Sequence, residues 1–314
     1  ESASFEFTVK WLDLAMVKVT KKDNNSKVNL SGAVFGIYLD SACKNLLIEM
    51  QATDSNGTSE VEFPKTQDTV YLKEISVPEG YKLNTESFHV KLETGKTTSV
   101  AVTNEEQKGK ITIRKKGEVL SGVTGEQGNP TFVYGNADFA GAEYNIYAAE
   151  DIYSQDKVTK VHKAGDLVES LTTGEDGSAV SKELYLGKYK VVEQKAPENL
   201  VIGKTEQERT QFVNLSYAGQ NIDLSQGETV FTNARPEISV NVVKKSKNDG
   251  VTLEGAVFGL YAEEDITAVD GKILVEKGKL VERAVSNREG TAAFHADIPL
   301  NFHYSVKEIQ APDK

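Results

Sequence analysis

Cysteine is almost missing from this chain: 314 residues contain one, Cys43, in a Ser-Ala-Cys-Lys turn after an apolar run. No disulfide framework can form within the chain, and the lone thiol is read as incidental. Four histidines, His89, His162, His295 and His303, are scattered without metal-ligand spacing, and His295 and His303 are read as loop and strand surface, so neither a metal nor a cofactor is expected. Basic charge is also in deficit. Lys and Arg total 36 against 47 Asp and Glu, a net charge of −11, which argues against nucleic acid or an anionic membrane as partner. There is no run of apolar residues long enough to span a bilayer, no phosphate-cradling glycine loop and no nucleophile elbow, so a hydrolase has no supporting constellation and the chain is not expected to be an enzyme. Amphipathic helices of ordinary length are missing too. Val-, Thr- and aromatic-rich runs alternate instead with turns such as Asp54-Ser55-Asn56-Gly57 and Glu175-Asp176-Gly177, the pattern of an all-β chain.

A three-part signature comes round three times. An alternating strand ends in Lys: Val17-Lys18-Val19-Thr20-Lys21, Ile111-Thr112-Ile113-Arg114-Lys115 and Val240-Asn241-Val242-Val243-Lys244. A Gly-Ala-x-aromatic strand follows, at Gly32–Tyr38, Gly141–Tyr147 and Gly255–Tyr261. An aromatic-led strand then ends in Glu ahead of a Pro turn, with Glu74 before Pro78, Glu193 before Pro197 and Glu308 before Pro312. Self-similarity at this period means an array of small domains. Residues two apart in a strand share a face, so Lys21, Lys115 and Lys244 point with the valines and isoleucines before them, and Glu74, Glu193 and Glu308 point with Leu72, Val191 and Val306. The neighbouring Lys22, Lys116 and Lys245 have the wrong parity. Two further strands, Val100–Asn104 and Val230–Asn233, place Asn104 on the face of Val102 and Asn233 on that of Phe231. Read singly, a Lys at a strand end is a solvated side chain and a Glu before Pro is surface polarity; repetition in matching parity is what favours a shared site.

These motifs resemble the Cna B-type domains, the prealbumin-like immunoglobulin-type sandwiches of SpaA-type pilins and other Gram-positive surface adhesins. Tyr71–Tyr81 resembles the E-box of that family, and the Gly-Ala-Val-Phe-Gly strand and the terminal Thr-Asn pair each occur twice. The resemblance implies tandem immunoglobulin-like (prealbumin-like, Cna B-type) β-sandwich domains in an elongated array. The expected divisions are a strand remnant or linker at 1–13, domain one at 14–106, domain two with an insertion at 107–235, and domain three at 236–314. It also implies autocatalytic isopeptide bonds, Lys21 with Asn104 promoted by Glu74 and Lys115 with Asn233 promoted by Glu193. The chemistry suits the residue types: burial disfavours the ammonium and leaves a nucleophilic amine, and a buried Glu carboxyl can polarise the Asn amide and relay protons. Lys244 and Glu308 repeat the pattern, but no Asn follows Glu308 in this sequence, so Lys244 is expected to lack an intrachain partner and unit three to be incomplete and least ordered.

The favoured function is a wall-anchored, extracellular structural stalk or pilin-like spacer, with sortase and the cell wall as partners through regions outside this sequence. Neither a signal peptide nor a Leu-Pro-x-Thr-Gly sorting signal is found, which reads as an internal fragment. The alternative is an adhesin whose insertions, Asn129–Asp138 and Ile152–Lys163, contact a host matrix protein or glycan. Phe132, Tyr134, Phe139 and Tyr153 would form its exposed aromatic cluster, with strand-edge packing as the competing explanation. Phe63-Pro64-Lys65 faintly resembles the Tyr-Pro-Lys pilin motif and is read as a loop, and Cys43 lacks the Cys-Gln neighbourhood of adhesin thioester domains. Short linkers are expected near Glu105–Gly109 and Ala234–Glu237, and Ser4–Trp11 alternates like a closing strand.

Overall fold

The computed structural model describes residues 4, 6–8, 11–126, 128–295 and 297–312, and among them there are strands, turns and bends but no helix. The first unit holds β1 (Leu14–Asp23), β2 (Val34–Tyr38), β3 (Leu46–Glu49), β4 (Thr58–Pro64), β5 (Thr69–Ser76), β6 (Ser87–Lys91) and β7 (Thr97–Asn104). Its two sheets have the orders β4-β1-β7 and β3-β2-β5-β6, with β1 and β7 parallel. Ala15, Val17 and Val19 of β1 are buried against Phe35, Ile37 and Leu72 from the facing sheet. Lys21 continues that inward face and is itself fully buried.

The second unit repeats the plan. It comprises β8 (Lys108–Glu126), β9 (Asn129–Asp138), β10 (Glu143–Ala148), β11 (Ile152–Tyr153), β12 (Lys160–His162), β13 (Leu167–Thr172), β14 (Ser178–Val180), β15 (Leu184–Tyr185), β16 (Gly187–Lys195), β17 (Thr210–Leu215) and β18 (Leu224–Asn233). One sheet runs β13-β10-β16-β17; in the other, β14, β15 and parallel β18 flank β8. Beyond Lys115 the strand β8 runs on as one arm of a hairpin with β9. The third unit comprises β19 (Val240–Val243), β20 (Val257–Ala262), β21 (Ile266–Thr267), β22 (Ile273–Val275), β23 (Leu280–Val285), β24 (Thr291–Phe294) and β25 (Tyr304–Gln310). Its sheets are β19-β24 and β23-β20-β25, and β19 has no parallel neighbour among the described residues. Units two and three share a small inserted ribbon, β11-β12 and β21-β22.

The Gly-Ala of the repeated motif has a local cause. Gly32, Gly141 and Gly255 sit at φ of 90°, 82° and 90°, the left-handed region that side chains disfavour. The following alanine is fully buried in all three units, and its N–H donates to a hydroxyl: Ala33 to Thr53 (3.0 Å), Ala142 to Thr173 (3.1 Å), Ala256 to Ser286 (2.9 Å). Each hydroxyl in turn donates to a carbonyl, of Leu30, Phe139 or Leu253, so the bend into the motif strand is pinned from both sides.

Two expectations need correction. Among the described residues of Ser4–Trp11 none lies in a strand, and Phe7 and Trp11 are exposed because no neighbouring strand covers them; Phe5, Val9 and Lys10 lie outside the described residues, as does Lys314. Phe63 and Pro64, read as part of a loop, close β4 instead, because Phe63 is buried in the core of unit one. The short linkers are packed against neighbouring loops. Glu106, Gln107 and Arg235 are buried. The Gln107 amide donates to the carbonyls of Gly219 and Ile222 and accepts from the Ala218 N–H, while Gln220 brackets the end of β5 by donating to Ile75 and accepting from Val77. Gly80, at φ 94°, touches Gln155 so closely that a Cβ would lie 2.1 Å from its Oε1.

Candidate cross-linking sites

In the first unit Lys21 lies at the end of β1, Glu74 in β5 and Asn104 at the end of β7, and all three are at most 2% exposed. Lys21 Nζ is 2.9 Å from Glu74 Oε1, and Asn104 Nδ2 donates to Glu74 Oε2 at 2.9 Å. One carboxylate therefore bridges amine and amide. It also accepts the Asn84 N–H at 2.8 Å, while Asn104 Nδ2 is further held by the Lys82 carbonyl at 2.7 Å. The Asn104 Oδ1 is buried without a partner, the oxygen an acid would polarise. Burial lowers the Lys21 amine below the usual lysine range, against the opposing pull of Glu74.

The second unit builds the same arrangement from β8, β16 and β18. Lys115 Nζ is 2.7 Å from Glu193 Oε1, and Asn233 Nδ2 lies 3.1 and 3.2 Å from the two Glu193 oxygens. Lys115 is fully buried, and burial again lowers its amine. In both units the register is the same: Lys21 pairs with Val102 and Lys115 with Phe231, each two residues before the Asn. Parallel pairing with a fixed offset of two puts Lys and Asn on one inward face. Each Asn also lines a surface cleft, Asn104 beside Lys82 and Asn84, Asn233 beside Gly203 and Lys204, so a small leaving group has a way out.

The aromatic of the Gly-Ala motif has a role that the sequence pattern alone did not expose. Phe35, Tyr144 and Phe258 each stand directly opposite the Glu, in all three cases just past a β-bulge. Phe35 lies under the Lys21 ammonium position at 5.5 Å, and Tyr144 stacks near Phe231 at 4.9 Å. The ring shields the pair from water. Tyr144's hydroxyl is driven up by burial and then by the Glu193 charge. The signal in the sequence was the recurrence of the aromatic three residues after the motif glycine.

Unit three differs. Lys244 Nζ touches Glu308 Oε1 at 2.7 Å, but the side chains are 23% and 34% exposed. Glu308 was expected to point inward like its counterparts; it lies open because no strand covers that edge among the described residues. The four aromatics proposed as an exposed cluster do not form one. Phe132 is buried, Tyr134 and Phe139 are half-buried, and Tyr153, 39% exposed, carries Lys160 over its ring. Among the described residues no group of histidine, cysteine or carboxylate side chains could hold a metal, and no helix is long and apolar enough to cross a membrane.

A family model for the SpaA prealbumin-like fold domain matches residues 15–106, 133–214 and 238–314. Its second stretch leaves out Lys115 and Asn233. Among solved structures, the TIE protein of Bacillus anthracis has a TM-score of 0.55 at 24% identity, covering 96% of this chain and 46% of that one, which establishes a common fold. BcpA, the major pilin subunit of Bacillus cereus, aligns over 95% of this chain and 89% of its own at 17% identity, with a TM-score of 0.34. The trypsin-resistant surface T6 protein of Streptococcus pyogenes serotype M6 is 37% identical over 70 residues, 22% of this chain and 12% of that protein. The chain thus spans less than half of the TIE structure and a small part of the T6 protein.

Proposed function

The chain belongs to the SpaA prealbumin-like fold domain family, and on that premise we propose that it is a stalk segment of a Gram-positive extracellular surface protein, pilin-like, whose first two units are locked by Lys21–Asn104 and Lys115–Asn233 amide bonds. The observation that carries this reading is the sealed Lys-Glu-Asn triad, present twice with one register and one bridging carboxylate.

In each triad a proton passes from the lysine to the glutamate across the short contact, because burial disfavours the ammonium. The asparagine amide, whose Nδ2 faces the carboxylate, turns over so that its oxygen accepts from the neutral carboxyl, and the amine attacks the side-chain carbon. The new N–C bond forms, the bond to Nδ2 breaks, and the proton released by the attacking nitrogen is relayed through the same glutamate to the departing ammonia. Holding the groups in contact removes most of the entropic barrier. The reaction runs once per site, and its product is the protein.

Mechanically, the bond would join the first strand of a unit to the last. A pull entering through β1 leaves through β7 without loading β2 to β6, and one entering β8 leaves through β18. Closing loops of roughly 80 to 120 residues would stabilise each unit by about 4.5 to 5 kcal/mol in the loop-entropy account. Stretching single molecules by their ends tests the function. Units one and two should release no extension from the residues between their linked ends, and Lys21→Ala should restore that extension for unit one alone. Full extension of unit one in the parent chain would rule the stalk mechanism out.

A further inference from the structure

The hairpin of β8 and β9 leaves the second unit and lies against the third. Its strands pair from Lys116–Asp138 to Glu126–Asn129, with a bulge between Leu120 and Gly122. In a regular strand Leu120 and Val123, three apart, would face opposite sides. The extra residue restores parity, so that Leu120 opposite Tyr134 and Val123 opposite Phe132 make one apolar face. That face is spent on unit three. Phe132 belongs to the core cluster of Phe258, Leu260, Val281 and Phe294, and Leu120, Val123 and Tyr134 pack against it. Val133, on the outward side of β9, is 40% exposed.

Polar contacts fix the position. The Val269 N–H donates to the Leu120 carbonyl at 3.0 Å, and the Tyr134 hydroxyl to the Asp297 carbonyl at 2.9 Å. Arg235, in the connection between the units, stacks its guanidinium 3.8 Å from the Tyr134 ring, pairs with Asp297, and donates its backbone N–H to the Glu118 carboxylate. At the hairpin's tip Gly128, at φ 91°, sits against Leu280, where a Cβ would come within 3.2 Å.

We propose that this hairpin is an intramolecular strap that supplies part of the hydrophobic core of unit three, so that unit three depends on the hairpin of unit two for its folded state. Among the described residues β19 has one sheet neighbour, and to the core that unit three builds from its own Phe258, Leu260, Val281 and Phe294 the strap adds a large aromatic and three further apolar side chains from outside. Nothing in this contact depends on the cross-links.

Hydrogen exchange read by mass spectrometry on the whole chain tests it. Phe132→Ala, and more strongly Phe132→Asp, should raise exchange in β20 and β23 at least tenfold while β10 and β16 of unit two stay protected. Phe132→Leu should restore most of the protection, and Val133→Asp on the opposite face should change nothing. Unaltered protection of β20 and β23 in Phe132→Ala would overturn the strap, as would equal damage from Val133→Asp. The intact mass of each variant, read from the same sample, reports the cross-links separately, so failure of one idea does not mask the other.

Discussion

Lys115 and Lys244 meet their glutamates at the same 2.7 Å, yet the first pair is shut off from solvent and the second is open at one side. Both pairs are made by the same two elements, a Lys-ending strand and a Glu strand facing an aromatic. What separates them is the third element, the parallel strand β18, which has no counterpart beside β19 among the described residues. Contact between Lys and Glu is thus a property of two strands, whereas burial, and with it the lowered amine of Lys115, is a property of three. The closing strand both seals the site and delivers the amide. A signature of Lys and Glu alone does not make a sealed site.

The sharpest way to break the comparison is to turn a sealed unit into an unlinked one. Lys21→Ala should remove about 4.5 to 5 kcal/mol of stabilisation from unit one through the lost cross-link, a fall of at least about 20 °C in its calorimetric transition for a domain of this size. Unit two should melt unchanged, since the sites are distant and share no partner. An unmoved transition for unit one would mean that no bond closes it. The reverse experiment gives β19 the parallel neighbour that it does not have among the described residues. Appending a parallel strand that ends in Thr-Asn should produce one additional ammonia loss, abolished by Lys244→Ala; an unchanged mass deficit would show that Lys244 and Glu308 are inert even when covered.

A smaller effect belongs to the hydroxyl pins. Thr53→Ala and Thr173→Ala leave the buried N–H of Ala33 or Ala142 without an acceptor and should destabilise the unit concerned by about 1 to 3 kcal/mol. Chemical denaturation of each variant measures this, and a change near zero would mean that the bend holds without the pin.

The junction of units one and two offers the mildest test. Glu106 is buried there, and its carboxyl is pushed up by burial first, then by the charges of Asp23 and Asp156, against the Gln155 N–H and Lys108. Tyr81, also buried, faces the same acids, and Tyr185 lies near them. Because the folded carboxyl holds its proton more tightly than the unfolded one, its contribution is complete below the ordinary glutamate range and is lost as pH rises through the raised folded value. Unit one with its junction should therefore be slightly more stable in mild acid than this carboxylate allows at neutral pH, and Glu106→Gln should flatten that dependence. A slope that persists in Glu106→Gln would assign it to another group.

How much of this the sequence disclosed follows from range. The inward direction of Lys21, Lys115 and their glutamates was readable because strand alternation is local and needs only a count of two. The all-β class was readable from runs and turns. By contrast, the pairing of Phe35, Tyr144 and Phe258 with the glutamates depends on a bulge that shifts the register by one; the fixed spacing from the motif glycine marks the aromatic but not its partner. The pins at Thr53, Thr173 and Ser286 lie 20 to 31 residues from the alanines they hold. Phe132 was legible as an aromatic in an insertion, but its partners sit in the next unit, and the bulge after Leu120 hides the apolar face from any period-two reading. The burial of the linkers was not legible for the same reason: Gln107 looks like a polar tether residue until the Ala218–Ile222 loop is seen to hold its amide, and Glu106 until Gln155 is seen to donate to its carboxyl.

The intact mass of the purified chain tests the central claim most directly, because each Lys–Asn bond removes one ammonia. The parent should fall short of its sequence mass by two ammonia masses, Glu74→Ala and Glu193→Ala by one each, and the double variant by none. A parent chain at its full sequence mass would contradict the cross-linked stalk outright.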